Sequence, residues 1–178
     1  MNSSMTVRPP REGEAARMAQ VHVRAWEQAY SGLMPEHFWD GHALATRTEF
    51  WQQTLADPHQ RSRTRVAEAN GAVVGLAQVG PSRDDDVDVD YELYMIYLLE
   101  EHHGSGAARD MLTDLLTDSS AYLWVLKSNQ RAQAFYRKHG FEPDGEEIDL
   151  GGGRSSSALA GILEIRLARP SRPAEQGA

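Results

Sequence analysis

Between Leu99 and Met111 the chain changes period, and small residues make the change. Up to Leu99 the run VDYELYMIYLL has the valine, leucine and tyrosine content of a strand; beyond it, ARDMLTDLL carries its apolar residues at helical spacing. The join reads EEHHGSG. A strand delivered into a helix through Gly104, Ser105, Gly106, Ala107 and Ala108 presents bare backbone N–H groups at the positive end of the helix dipole. Phosphate binds in such places, with the dipole contributing about 0.3 to 1 kcal/mol at exposed sites. A tight turn with close helix packing uses the same residues, and a glycine pair alone favours that plainer reading.

On either side the chain punctuates itself. MTVRPP reads as a first strand stopped by its prolines, and Glu12 to Tyr30 carries Ala15, Met18, Ala19, Val23, Trp26 and Tyr30 at helical spacing. A second helical region spans Glu36 to Leu55. Thr64 to Ala69 and Ala72 to Val79 read as two strands joined by a tight Asn70-Gly71 hairpin, followed by a long strand, Val89 to Leu99. The helix after the join runs to about Thr117, and Ala121 to Leu126 is a short strand. Ser128 is placed to cap a further helix ending at Gly140. Phe141 onward and Ala158 to Leu167 form a final hairpin around a flexible GGGRSSS, with RPSRPAEQGA as a disordered tail. Strands and helices alternate in mid-chain, which predicts a mixed sheet covered by helices.

The 178 residues, 40% hydrophobic and 25% charged, suffice for one domain with a real core. The expectation is a single domain over residues 1–178, ordered from about 5 to 168. No apolar run approaches the roughly eighteen residues of a membrane helix, and residues 1–20 lack the basic start and apolar core of a signal peptide, so a cytoplasmic protein is expected. With no cysteine, disulfides, thiolate metal sites and a cysteine nucleophile are excluded. A net charge of -8 argues against nucleic acid; it suits a cationic partner, or simply solubility. The join is neither a P-loop, since no Lys follows the glycines, nor a dinucleotide fingerprint, since position 109 is arginine. His102 and His103 are adjacent and point apart, so no metal is expected.

The residues quoted so far resemble the GNAT superfamily of acyl-coenzyme A dependent N-acetyltransferases. Its signature of Gln or Arg, two free positions, Gly, one free position, then Gly or Ala is similar to His103-Gly104-Ser105-Gly106-Ala107-Ala108, with histidine a departure at the first place. The resemblance continues through VAEANGAVVGLAQVG and YLWVLKSNQRAQAFYRKHGFEPDG and covers roughly Met5 to Leu167. Glu100 departs from the proline that many relatives carry after the central strand. The resemblance implies an α/β (α+β) fold: a mixed, mostly antiparallel central sheet flanked by helices, with central strands that splay apart. It implies acetyl-CoA as co-substrate, its pyrophosphate on Gly104 to Arg109 and its pantetheine arm and acetyl carbonyl bonded by backbone near Ile96, Tyr97 and Leu98.

Asn129 and Tyr136 are seven residues apart, and seven steps of about 100 degrees return to one helix face about 10 Å along the axis. Spacing alone makes Tyr136 an ordinary core residue beside Ala132, Phe135 and His139. The resemblance makes Tyr136 the acid that protonates the departing thiolate, and Asn129 a partner of the cofactor arm. Glu92 interrupts an apolar strand on the face of Tyr94, Ile96 and Leu98 and is a candidate base of raised pKa; a solvated glutamate beside Asp88 and Asp90 is an equal alternative, and many relatives deprotonate through water.

In the family the first two helices and their connection help form the acceptor pocket, which brings Trp26, Tyr30, Met34 and Phe38 near it. Trp26 reads as core, whereas Tyr30 and Met34 are the substrate candidates. The acidic run Asp84 to Asp90 steers a cationic amine or is simply solvated. The expectation is direct acetyl transfer from acetyl-CoA to a primary amine in a ternary complex, with no metal, nucleic acid or membrane partner. A silent acyl-coenzyme A binder or a protein-interaction module on the same fold are the alternatives. A homodimer is compatible with the sequence, which does not decide it.

Overall fold

The computed structural model describes residues 5–152 and 159–171. Most of the GGGRSSS connection and of the RPSRPAEQGA tail falls outside the described residues.

The order of elements follows the local signals with shifted ends. β1 (Met5–Arg8) leads through the Pro9-Pro10 turn to α1 (Ala15–Tyr30). The helix starts three residues later than its spacing suggests, because the Glu14 carboxylate turns back to Arg8 and to the Arg11 amide, 2.7 Å away. The second helical region is three pieces: a single 3-10 turn (Glu36–Phe38), α2 (Gly41–Ala56) and α3 (Pro58–Ser62). Two aspartates punctuate it. Asp40 accepts from the Ala43 amide at 2.9 Å, and Asp57, followed by proline, accepts from His59 at 2.8 Å; both are N-caps.

β2 (Thr64–Ala69) and β3 (Ala72–Gly80) pair antiparallel, and the turn between them has Asn70 and Gly71 both at positive φ, 51° and 82°, the two left-handed residues of a tight hairpin. β4 is Tyr91–Leu98, then come α4 (Ala107–Leu116), β5 (Ala121–Leu126), α5 (Gln130–Lys138), β6 (Glu142–Asp149) and β7 (Leu163–Arg169). The strands hydrogen-bond in the order β1-β2-β3-β4-β5-β7-β6. The sheet is mostly antiparallel, with a parallel ladder between β4 and β5 at Tyr91–Ala121 and Glu92–Tyr122.

The chain gathers into two compact units, Met1–Gly80 with Met95–Thr117, and Pro81–Tyr94 with Asp118–Ala178. In the first, Met18, Ala19, Trp51, Val66, Leu76 and Met111 are fully buried from α1, α2, the strands and α4. Burying each of the larger ones contributes roughly 1.5 to 3 kcal/mol. Gly75 lets β3 lie close to β4: a Cβ there would stand 2.7 Å from Leu98 and 2.9 Å from the Tyr97 carbonyl. In the second unit Tyr122, Leu123, Phe141 and Leu167 are fully buried around β5 and β7. No helix among the described residues is long and apolar enough to cross a membrane.

Candidate active site

In the first unit, β4 ends at Leu98 and the chain makes one 3-10 turn, Glu100–His102, before α4. His103 folds back so that its Nε2 lies 2.8 Å from the Leu98 carbonyl, closing the turn on the strand that feeds it. Gly104 and Gly106 then take φ of 80° and 89°, the left-handed region where a Cβ is strained. Two amides in this turn are used internally: Ser105 donates to the His102 carbonyl at 3.2 Å, and Ala107 to the Ser105 hydroxyl at 3.3 Å. Among the described residues those of Gly104, Gly106, Ala108 and Arg109 have no bond of this kind, the last two because the first turn of a helix has no carbonyl behind it. A Cβ at Gly104 would meet nothing within 4 Å, whereas one at Gly106 would stand 3.1 Å from the Arg109 guanidinium, which flanks the turn. The Arg109 guanidinium lies against Asp110, 2.8 Å away.

Ile96, Tyr97 and Leu98 occupy the last half of β4, and aromatic side chains of α1 gather at Tyr97. His22 stacks on it with centroids 5.0 Å apart, and Trp26 meets it edge-on at 6.4 Å. Tyr30 packs edge-on against Trp26 at 5.1 Å, and Phe38 stacks on the same indole at 5.8 Å. Met34 is buried, its amide bonded to the Tyr30 carbonyl at 3.0 Å. Both substrate candidates therefore sit at the α1 end of one aromatic group, and Trp26 is half-buried within it rather than enclosed in the core.

Sequence reasoning missed two members. Arg47, on α2, lies over the Trp26 ring, 5.0 Å from its centroid. His22 is buried, and burial first, with Arg47 second, pushes its pKa down to about 3, so it is neutral. Each is legible in hindsight as a charged or titratable residue interrupting a buried helix stripe: Ala43, Arg47 and Trp51 on α2, and Met18, His22 and Ala25 on α1.

In the second unit Asn129 is the N-cap of α5, its carboxamide oxygen accepting from the Ala132 amide at 3.0 Å. This corrects the assignment of the cap to Ser128. Asn129 also stands at the helix end rather than on its face. Tyr136 lies in the last turn, 8% exposed. Behind it Gly140 takes φ 85°, its amide donates to Arg137 and that of Phe141 to Tyr136, both at 3.1 Å, and the Phe141 ring packs 5.9 Å from the Tyr136 ring. This closing motif fixes the turn that carries the phenol.

Glu92 is 2% exposed, and its surroundings are polar rather than apolar. Arg83 grips it with Nε at 2.9 Å and with Nη2, and the Tyr122 hydroxyl donates to it at 2.6 Å. Glu92 raises the Arg83 pKa, while burial raises that of Tyr122. Another carboxylate of this unit, that of Glu164 on β7, makes no side-chain hydrogen bond among the described residues; burial pushes its pKa up, with Arg83 acting against the rise. The acidic run is partly paired. Asp84 accepts from the Trp124 indole at 3.0 Å, and Arg166 bridges Asp84, Asp86 and Asp144. Among the described residues no group of three His, Asp or Glu is placed to hold a metal ion.

Residues 60–143 match the acetyltransferase (GNAT) domain family. The chain is 34% identical over 142 residues to an uncharacterized N-acetyltransferase of Mycobacterium tuberculosis (strain H37Rv), spanning 74% of this chain and 85% of that protein. It is 32% identical over 134 residues to the uncharacterized N-acetyltransferase YuaI of Bacillus subtilis (strain 168), spanning 70% and 73%. Among solved structures, the fold is similar to that of the PaiA N-acetyltransferase of Thermoplasma acidophilum in complex with coenzyme A. The TM-score is 0.69 at 16% identity, over 94% of this chain and 99% of that one.

Proposed function

Because the chain belongs to the GNAT family of N-acetyltransferases, we propose that it moves the acetyl group of acetyl-CoA directly onto a primary amine. The observation that carries this reading is the turn from Gly104 to Arg109. Two left-handed glycines and four amides without an internal partner among the described residues, at a helix start flanked by the Arg109 guanidinium, fit a diphosphate. The coenzyme A complex of the Thermoplasma protein of similar fold supports it.

Acetyl-CoA, when bound, supplies the activated acyl group; the chain's part is to bind, orient and move protons. The amides of Gly104, Gly106, Ala108 and Arg109 receive the diphosphate. Ser105 and Ala107 brace the turn from within, and His103 holds it to β4. Backbone groups at Ile96, Tyr97 and Leu98 orient the pantetheine arm and the acetyl carbonyl. The amine's lone pair attacks the acetyl carbon, the C–S bond breaks, and the Tyr136 hydroxyl gives its proton to the leaving thiolate. A positioned acid of this kind contributes 10²- to 10⁴-fold, or about 3 to 5 kcal/mol of barrier.

The amine must lose a proton. Glu92 has both oxygens engaged by Arg83 and Tyr122, so in this reading it positions the segment before β4. Glu164, shifted upward by burial against the opposing charge of Arg83, is better suited to take the proton, directly or through water. Tyr30 and Met34 border the acceptor.

The test is thiol release from acetyl-CoA across a panel of amines, with wild type, Tyr136→Phe, Glu92→Gln and Glu164→Gln. Tyr136→Phe is expected to lose a hundredfold or more in kcat with affinity for acetyl-CoA unchanged. Cofactor binding without turnover of any amine would replace this reading with that of a silent binder, and absence of cofactor binding would end it.

A further inference from the structure

Arg47 is a half-buried guanidinium that makes no hydrogen bond or ion pair among the described residues. That is unusual, because a buried cation is costly unless an anion or a set of acceptors compensates it. Among the described residues no carboxylate compensates it, and Tyr97 alone opposes the effect of burial. Trp26 lies beneath it, and neutral His22 and Tyr97 lie close by. The groups left unsatisfied around it are mostly donors: the Nε of Arg47 itself and the indole N–H groups of Trp26 and Trp51 are buried without a partner, as are His22 Nδ1 and Thr54 Oγ1. Burial lowers the pKa of Arg47, with the Tyr97 phenol acting in the opposite direction.

The cation is also held in place. The guanidinium carbon lies over the Trp26 ring, 5.0 Å from its centroid, and Phe38 stacks on the same indole. A planar fork of donors, immobilised before the ligand arrives, matches a carboxylate in two-point contact far better than a flexible ammonium does.

From this geometry we infer that the acceptor is an amine that also carries a carboxylate, which Arg47 binds over the Trp26 ring. The inference rests on the acetyltransferase reading and narrows it. Arg47 and Trp26 meet Tyr97, the strand residue that reading assigns to the acetyl carbonyl, so an amine and a carboxylate close together in one small molecule, as in an amino acid, fit both assignments. The aromatic rings of Trp26, Tyr30 and Phe38 suit an apolar body on that molecule. The substrate class differs from the cationic amine that the acidic net charge suggests: the overall charge lies elsewhere, and the acceptor group is read by a local cation.

The experiment uses the L-amino acids, their methyl esters and their decarboxylated amines, with the full chain and saturating coenzyme A. Two readouts are taken: thiol release with acetyl-CoA, and ligand-induced shift of the melting midpoint with coenzyme A. The expected result is that at least one free acid surpasses its ester and its amine by about tenfold or more in kcat/KM and in apparent affinity. Arg47→Met is expected to lose that preference for the acid. Arg47→Lys, which keeps the charge without the fork, retains a reduced preference and covers the case in which the methionine variant does not fold. The proposal is overturned if esters or plain amines equal the acids in wild type, or if the preference survives in both variants. The two readings fail separately. Turnover without acid preference removes the carboxylate site alone, and acid-selective stabilisation without turnover removes the transferase reading alone.

Discussion

His22 is where a single residue most changes the reading of the sequence. Spacing drew the α1 stripe without it, and its burial beneath Trp51 and Tyr97 was out of reach, because those partners come from α2 and β4. A histidine whose folded pKa is depressed to about 3 binds fewer protons than the unfolded chain between pH 3 and its ordinary value of 6.5. The unfolded state is therefore favoured as pH falls through that window, and stability is lost at up to about 1.4 kcal/mol per pH unit. Between pH 6.5 and 5, above the range where ordinary carboxylates titrate, urea denaturation of wild type is expected to show a loss of roughly 1 to 2 kcal/mol that His22→Phe does not. Equal slopes in the two proteins would mean that His22 is protonated in the folded state. Arg47 illustrates the same limit: its place among Ala43 and Trp51 was visible, but its lack of a counter-charge is a property of three elements together.

At the scale of elements, β2, β3 and β5 were readable almost to the residue, because they are short apolar runs bounded by Asn-Gly, proline or serine, whereas the last strand, expected at Ala158 to Leu167, lies at Leu163–Arg169. The helices were less so, since their ends are set by side-chain caps that spacing does not reveal: Asp40 starts a helix four residues into the expected Glu36–Leu55 region, Asp57 starts one that was not expected, and Asn129 takes the cap assigned to Ser128. α5 shows the consequence. Asn129 satisfies the Ala132 amide and so sets where Tyr136 stands one and a half to two turns later. Asn129→Ala is expected to cost about 1 kcal/mol of stability. Asn129→Asp, an equally good cap, is expected to restore it, as read by chemical denaturation. If Asn129 also meets the cofactor arm, its affinity for acetyl-CoA falls in the aspartate variant as well, which separates the two roles. In the turn before α4, Gly104→Ala costs about 1 to 2 kcal/mol of backbone strain even though a methyl group there would strike nothing. Weakened acetyl-CoA binding, measured by calorimetry, is the expected companion.

Long-range pairing is the scale at which the sequence was least informative. The run Asp84 to Asp90 read as a steering field or a solvated loop, yet Asp84 and Asp86 are bound to Arg166, 82 and 80 residues away along the chain. No local window sees such a pair. Arg166 is buried on β7, with 6% of its side chain exposed, and also holds Asp144 at 2.6 Å, so one guanidinium ties the segment before β4, the β6 strand and β7 within the second unit. Those carboxylates keep the guanidinium protonated well beyond its ordinary range, Asp86 foremost. Removing it in Arg166→Met leaves Asp84 and Asp144, each about one quarter exposed, facing one another without a cation. Loss of one partner from a buried pair costs 3 to 5 kcal/mol; partial exposure here brings the expectation to about 3, or a fall of roughly 6 to 12 °C in Tm. Asp86→Asn, whose side chain is 60% exposed, is expected to leave stability nearly unchanged. The decisive comparison is the triple variant Arg166→Met, Asp84→Asn, Asp144→Asn, which removes the stranded charges along with the cation. If the network's role is charge compensation, the triple variant regains a large part of the lost stability; if it remains as unstable as Arg166→Met alone, the packing of the arginine stem against Tyr122 and Trp124 is what holds the unit, and the acidic run is incidental to it.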